Sequence, residues 1–163
     1  VEPILDKINE SAIKMNDSLQ DLVWAVKPEN DTLQELLVRM EQFASGILES
    51  KNINYTFTGP TTVSDIKLNP ELIRNIYLIF KEAVNNAAKY SNCANVTITI
   101  KEKGKQLSLS VIDDGIGFNP ETVKRGNGLN NMTKRAAQIG GSLNIISEPN
   151  KQNGIVLECK ITS

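Results

Sequence analysis

The chain of 163 residues contains no histidine, only two cysteines and a single tryptophan, and aromatic residues make up just 5% of it. Without histidine there is no Ser/His or Cys/His nucleophile arrangement, and the commonest transition-metal ligand is missing. Cys93 and Cys159 are too far apart to give a metal-binding spacing, so a zinc site is not expected. No apolar run approaches the roughly 18 residues that a membrane-spanning helix needs. The opening VEPILDKINE lacks signal-peptide character, so the segment is expected to be soluble. Charge is also nearly absent in net terms: 18 Lys and Arg against 19 Asp and Glu leave -1. No global field attracts a phosphate backbone or an anionic membrane, and nucleic acid is not an expected partner. What remains for chemistry is carboxylates, amides, lysines and backbone. With 40% hydrophobic and 23% charged residues, the composition is that of an ordinary globular domain.

Periodicity orders the chain. Leu5, Ile8, Ala12, Met15, Leu19, Leu22 and Val26 alternate spacings of three and four, which predicts an amphipathic helix that wants a partner helix. The partner is open between the following helix, as an antiparallel hairpin, and a second copy of the chain. Pro28 and its polar surroundings end this helix. Thr32 and Glu35 form a capping box that opens a second one, with Leu33, Leu36, Leu37, Met40, Phe43, Ala44 and Ile47 as its stripe and Gly46 as a weak point. Alternation at Ile53, Tyr55 and Phe57 predicts a strand ended by Gly59 and Pro60. The division drawn from these changes is a helix over 1–27, a linker and helix over 28–52 and a folded domain over 53–163.

Within that domain, Asn69 followed by Pro70 predicts the start of a long helix, with Ile73, Ile76, Tyr77, Phe80, Val84 and Ala87 as its core stripe and an end near Tyr90. Val96, Ile98 and Ile100, then Leu107, Leu109 and Val111, predict a hairpin turning at Gly104. Leu129, Met132, Ala136 and Ile139 predict a short helix stopped by Gly140 and Gly141. Two strands follow, around 143–147 and 155–161, and Cys159 alternates with Ile155, Leu157 and Ile161 as core. This element order predicts an α/β sandwich in which helices cover one face of a mixed sheet, preceded by a long helix.

Three constellations could carry chemistry. In DDGIGF, Asp113 stands where a strand stops, and Gly115 and Gly117 let backbone approach a flat ligand, whose exocyclic amine a carboxylate accepts well; the plain alternative is a tight turn. In GNGLNNM, Gly126 and Gly128 precede a helix expected to begin near Leu129. Its free N–H groups suit phosphate oxygens, although neither a Walker loop nor a dinucleotide fingerprint is present. On the long helix, Glu82, Asn86 and Lys89 share a face predicted to point away from the core. An amide oxygen, a carboxylate and an ammonium there suit Mg²⁺ and phosphate, and a solvated face is the alternative.

Taken in order and at these separations, FKEAVNNAAKYS, VIDDGIGF, GNGLNNM and GGSLNI resemble the N box and glycine boxes of the GHKL ATPases, in particular the ATP-binding domain of bacterial two-component sensor histidine kinases. The resemblance covers about 53–163. The position of Glu82 and the short stretch between Phe118 and Gly126 are similar to the short-lid, nitrate-sensor-like subfamily, and DLVWAVKPENDTLQELLVRMEQFA is similar to the connection that follows the dimerisation helices. The resemblance implies a Bergerat-type fold that binds Mg-ATP. It implies Asn86 as the Mg²⁺ ligand, Glu82 as the residue that orients or deprotonates an acceptor imidazole, Lys89 near the phosphates and Asp113 at the adenine amine. Gly115 and Gly117 would admit the base, while Gly126, Asn127, Gly128 and Leu129 would cover the phosphates. It also implies a response-regulator receiver domain as partner, a homodimer through the N-terminal helix and a cytoplasmic location, even as part of a membrane-anchored sensor. Ile155 stands where the family commonly has Thr. The acceptor histidine is expected on a helix outside this chain. A GHKL serine kinase of the anti-sigma type and a nonenzymatic nucleotide-binding scaffold are the competing readings.

Overall fold

The computed structural model describes residues 2–26, 32–64, 67–117, 127–148 and 151–161. The described residues form four helices and five strands, as expected: α1 (Glu2–Val26), α2 (Leu33–Ser50), β1 (Asn54–Thr58), α3 (Pro70–Tyr90), β2 (Asn95–Lys103), β3 (Gln106–Asp113), α4 (Asn127–Gln138), β4 (Ser142–Glu148) and β5 (Gln152–Lys160). The strands form one sheet in the order β1-β2-β3-β5-β4. β1 runs parallel to β2, and every other pair is antiparallel. The mixed sheet expected from the short late connections is thus present.

Period-2 patterning decides which face is covered. Val96, Ile98 and Ile100 of β2, Leu107, Leu109 and Val111 of β3, and Ile155, Leu157 and Cys159 of β5 are all buried. Their register partners place them side by side on one face, with Leu143 and Ile145 of β4 alongside. The residues between them, such as Thr97, Lys101 and Glu158, are exposed. One face therefore takes the helices and the other stays wet, as expected when antiparallel strands carry alternating side chains.

α3 is the central helix of the covered layer. Asn69 caps it by accepting from Glu71 N at 2.8 Å, and Pro70 occupies its first turn. Ile73, Ile76, Phe80, Val84 and Ala87 are buried, joined by Leu72, Ile79 and Ala83. α2 begins at Thr32, whose hydroxyl oxygen accepts from Glu35 N at 3.3 Å, the first half of the expected capping box. Its buried residues Leu33, Leu36, Leu37, Met40, Ala44 and Leu48 belong to the same hydrophobic cluster as the sheet and α3. The helix runs through Gly46 without interruption. α1 behaves differently: Ile4, Leu5, Ile8, Met15 and Leu19 are between 57% and 68% exposed. Pro28 and the rest of the α1–α2 connection, like Phe118, lie outside the described residues.

The start of α4 departs from expectation. It begins at Asn127, so Gly128 lies in its first turn and not ahead of it, and Gly126 falls outside the described residues. The physical reason is tertiary. A Cβ on residue 128 would displace the Glu82 carboxylate, so glycine here lets α4 approach α3 with Glu82 in its observed place. The other end follows expectation, with Gly140 at φ 65° and Gly141 N donating to Ala136 O at 2.9 Å.

Candidate functional site

The site is built where α3 ends against the end of β3. After Tyr90 the chain turns through Asn92, at φ 51°, a conformation that asparagine tolerates better than most residues. Ser91 is buried, and its hydroxyl donates to Ala87 O at 2.6 Å. Its carbonyl oxygen accepts from Ile116 N at 2.9 Å, which pins the glycine-rich turn to the helix end. Gly115 lies so close that a Cβ would clash with Ser91 O. Glycine at 115 therefore serves this protein contact, besides any role it has at a ligand. Gly117 does serve as a left-handed turn residue, at φ 70°.

Asp113 continues the inward row Leu107, Leu109, Val111 and is only 7% exposed. Its Oδ1 accepts from Gly115 N at 2.8 Å. Burial pushes its carboxyl above the ordinary aspartate value, the Gly115 N–H opposes this, the neighbouring Asp114 charge adds to the rise and Ser91 opposes it. A partly desolvated carboxylate at the end of a strand is a strong acceptor for a ligand N–H.

Asp114 does something else. Its Oδ1 accepts from Ala94 N and Asn95 N, each at 2.9 Å, and its Oδ2 accepts from Asn95 Nδ2 at 2.7 Å. The Asn95 side chain and then its N–H hold this carboxyl below the ordinary range. The aspartate doublet thus divides into one buried acceptor and one exposed clasp that joins the start of β2 to the end of β3. Asp114 was missed in sequence because a doublet does not tell which member faces inward. Asn153 was missed too. It is 2% exposed, sits opposite Asp113 in the β3–β5 register and donates from Nδ2 to Gly115 O at 2.9 Å. The signal was available: extending the alternation Cys159, Leu157, Ile155 back by two puts a polar residue on an apolar face.

On α3 the predicted outward face is partly roofed. Glu82 and Asn86 are half-buried and only Lys89 is exposed, because α4 packs over α3 with Gly128 on Glu82. At the other end of α4, Arg135 donates to Asn75 Oδ1 at 3.3 Å, and Asn75 is itself buried and donates to Glu71 O at 3.0 Å. Between the two helices lies a cavity of about 130 Å³ lined by Leu78, Lys81, Glu82, Asn85, Asn131, Met132 and Arg135. Of the expected site residues it includes Glu82 alone. Asn86 and Lys89 lie further along α3, on the turns that lead to Ser91 and the Asp113 loop. Leu129 is half-buried in the first turns of α4, and Asn127 begins that helix. Ile155 is 3% exposed and packs in the apolar row, so it contributes no polar atom. Among the described residues no group of three or more His, Cys, Asp or Glu could hold a metal ion.

A mixed sheet layered by helices on one face, with a buried aspartate at a strand end held against an Asn-bearing helix, makes this an α/β sandwich of the class expected from the sequence. Residues 71–163 match the family described as the histidine kinase-, DNA gyrase B-, and HSP90-like ATPases, and the chain belongs to that family. It is 35% identical over 100 residues to the sensor histidine kinase LiaS of Bacillus subtilis (strain 168), a match covering 61% of this chain and 27% of that protein. It is 33% identical over 99 residues to the sensor protein VraS of Staphylococcus aureus (strain COL), covering 60% and 28%. The chain thus spans little more than a quarter of the length of these curated relatives. Among solved structures, the Acinetobacter baumannii histidine kinase AdeS superposes with a TM-score of 0.69 at 14% identity, covering 100% of this chain and 86% of that one. This similarity concerns the fold, and it extends to the whole α/β architecture. No described helix is long and apolar enough to cross a membrane.

Proposed function

We propose that this domain binds Mg-ATP between the Asp113 turn and the α3–α4 pair, and transfers the γ-phosphoryl group to an imidazole supplied by another segment. The observation that carries the reading is Asp113: buried, strand-terminal and fixed through Gly115 against the helix that bears Asn86. The names of LiaS and VraS support a sensor-kinase context. The chain has no histidine of its own, so the acceptor comes from a dimerisation helix elsewhere, and an aspartate on a response-regulator receiver domain takes the phosphoryl group onward.

The residues present suit this task. Asp113 accepts from the adenine amine, and the Gly115–Gly117 turn closes around the base edge. Asn86 offers the single hard oxygen donor fitting a Mg²⁺ already held by phosphates, and that ion supplies charge neutralisation. Lys89, exposed at the end of α3, reaches toward phosphate as a compact positive charge. Asn127, Gly128 and Leu129 bring the N–H groups of the α4 start to the same region, and Gly126 is assigned to the phosphates with them. When the imidazole nitrogen bonds to the γ-phosphorus and the bond to the ADP oxygen breaks, Glu82 takes the ring proton. Positioning and electrostatics provide most of the acceleration. The domain is placed on the cytoplasmic side.

Titration calorimetry with Mg-ATP tests the binding half: no heat at ligand concentrations near the weak end of ordinary affinities, about 1 mM, ends the proposal. A histidine-bearing dimerisation helix added in trans with labelled ATP tests the transfer half. Acid-labile phosphate is expected on that helix, and its level should fall on the order of a hundredfold with Glu82→Gln if Glu82 is the base.

A further inference from the structure

Asn153 and Asp113 face one another across β3 and β5 and grip the same glycine from both sides. Asp113 Oδ1 accepts from Gly115 N at 2.8 Å, and Asn153 Nδ2 donates to Gly115 O at 2.9 Å. Exchanging the amide's nitrogen and oxygen would set two carbonyl oxygens against each other, so the contact with Gly115 O fixes which end is which. The other end, Asn153 Oδ1, is buried and has no hydrogen-bond partner. Buried amide oxygens are almost always satisfied, because leaving one bare forfeits its hydration with nothing in return. Neither neighbour can relieve it: the Asp113 carboxylate is itself an acceptor, and Ile155, on the same face, is apolar.

Two adjacent acceptors lacking a common donor specify what would complete them. We propose that Asn153 is a base-discriminating residue of the nucleotide site. With Asp113 it forms a paired acceptor that selects a purine carrying an exocyclic 6-amino group. The inference rests on the nucleotide reading above and extends it to a residue outside the glycine boxes. An amine brings two N–H donors, one for each acceptor. A 6-oxo purine turns a carbonyl oxygen toward both acceptors and leaves Asn153 Oδ1 unpaired, and a purine with only hydrogen at C6 also leaves it bare. The turn at Gly115 is held by these same two residues and by Ile116 N donating to Ser91 O, so the groups that meet the base also shape the backbone beside it.

The test titrates the whole chain with the Mg complexes of ATP, inosine triphosphate and purine riboside triphosphate, in the parent and in Asn153→Leu. The parent should favour ATP over either analogue by on the order of tenfold or more, and this preference over purine riboside triphosphate should shrink in Asn153→Leu to the part that Asp113 supplies. If the variant weakens all three nucleotides by one common factor, Asn153 merely pins Gly115 and the proposal is overturned. Should Asn153→Leu fail to fold, the side-chain carbonyl carbon of Asn153 in the unsubstituted chain gives the answer by NMR. Its resonance should move on saturation with ATP and stay with purine riboside triphosphate, and equal movement with both overturns the assignment. A folded parent chain that binds no ATP overturns the nucleotide reading itself, which is a separate and recognisable outcome.

Discussion

Asp113 is held by opposing demands. Its carboxylate is proposed to receive a ligand N–H, yet burial raises its pKa before any ligand arrives. The sign of the pH effect follows from which state keeps the proton. Below the ordinary aspartate value both folded and unfolded chains hold it. Between that value and the raised one, only the folded chain holds it, so stability of the nucleotide-free protein falls as pH rises through this window and stays lower above it. Nucleotide affinity has the opposite dependence, weakening as pH falls through the raised value, because a protonated carboxyl is a poorer acceptor. Asp113→Asn should therefore leave the urea midpoint unchanged or higher near neutral pH while reducing ATP affinity by on the order of a hundredfold. A variant that loses stability and affinity together would show the carboxylate to be structural. Glycines provide a second contrast at this scale. Gly46 faces open space on α2, whereas Gly128 faces Glu82. Ala is favoured over Gly in a helix by about 0.5–1 kcal/mol, so Gly46→Ala should raise stability by that amount. Gly128→Ala should lower it and should also weaken ATP binding by displacing the start of α4, measured by urea unfolding and calorimetry. The sequence sets Gly46 inside a helix and Gly128 ahead of one, whereas both lie within helices and the packing partner sets the sign.

At the scale of elements, α3 was readable from end to end because every local determinant agrees: Asn69 caps it, Pro70 starts it, and its apolar stripe has helical period. The hairpin β2–β3 was readable for the same reason, with Gly104 at φ 59° in a two-residue turn between Lys103 and Gln106. The start of α4 was not, because its first turn contains Gly128, which local rules assign to a loop and which sits against Glu82. The inward positions of Asp113 and Asn153 lay in the alternation of β3 and β5, but their meeting depends on register between strands separated by α4 and β4, which no local pattern specifies. α2 shows a third case: its helix was legible, its attachment was not. Drawn with the linker at 28–52, it nevertheless sends Leu36, Met40 and Leu48 into the common core. Leu48→Ala should cost about 2–5 kcal/mol and lower the midpoint of the same cooperative transition that reports on the sheet. A helix hanging outside that core would instead lose helicity in a separate, earlier step, with the β signal unchanged, so circular dichroism at two wavelengths decides between them.

For the whole molecule, the question is what becomes of α1. A packed body needs to cover its apolar stripes, and every other helix does so: α2, α3 and α4 each send side chains into the core. α1 meets α3, but Leu5, Ile8, Met15 and Leu19 on its stripe are 57%, 59%, 68% and 60% exposed. Of the two partners left open by the sequence, α2 turns most of its stripe into the core and leaves these four residues uncovered. Alternating spacings of three and four are the seam of a two-helix or four-helix packing, and a second copy supplies the same seam by symmetry. An isolated helix of 25 residues with a bare stripe gains most of its stability from such packing. The expectation is that the chain self-associates through α1, with sedimentation showing a concentration-dependent dimer and helicity rising with concentration. Met15→Asp with Leu19→Asp should give a monomer with reduced helicity whose ATP affinity is unchanged, because none of the proposed nucleotide residues lies on α1. A parent chain that stays monomeric at the highest concentrations reached would overturn the self-association, and a double variant that loses ATP binding would show α1 to be part of the packed body after all.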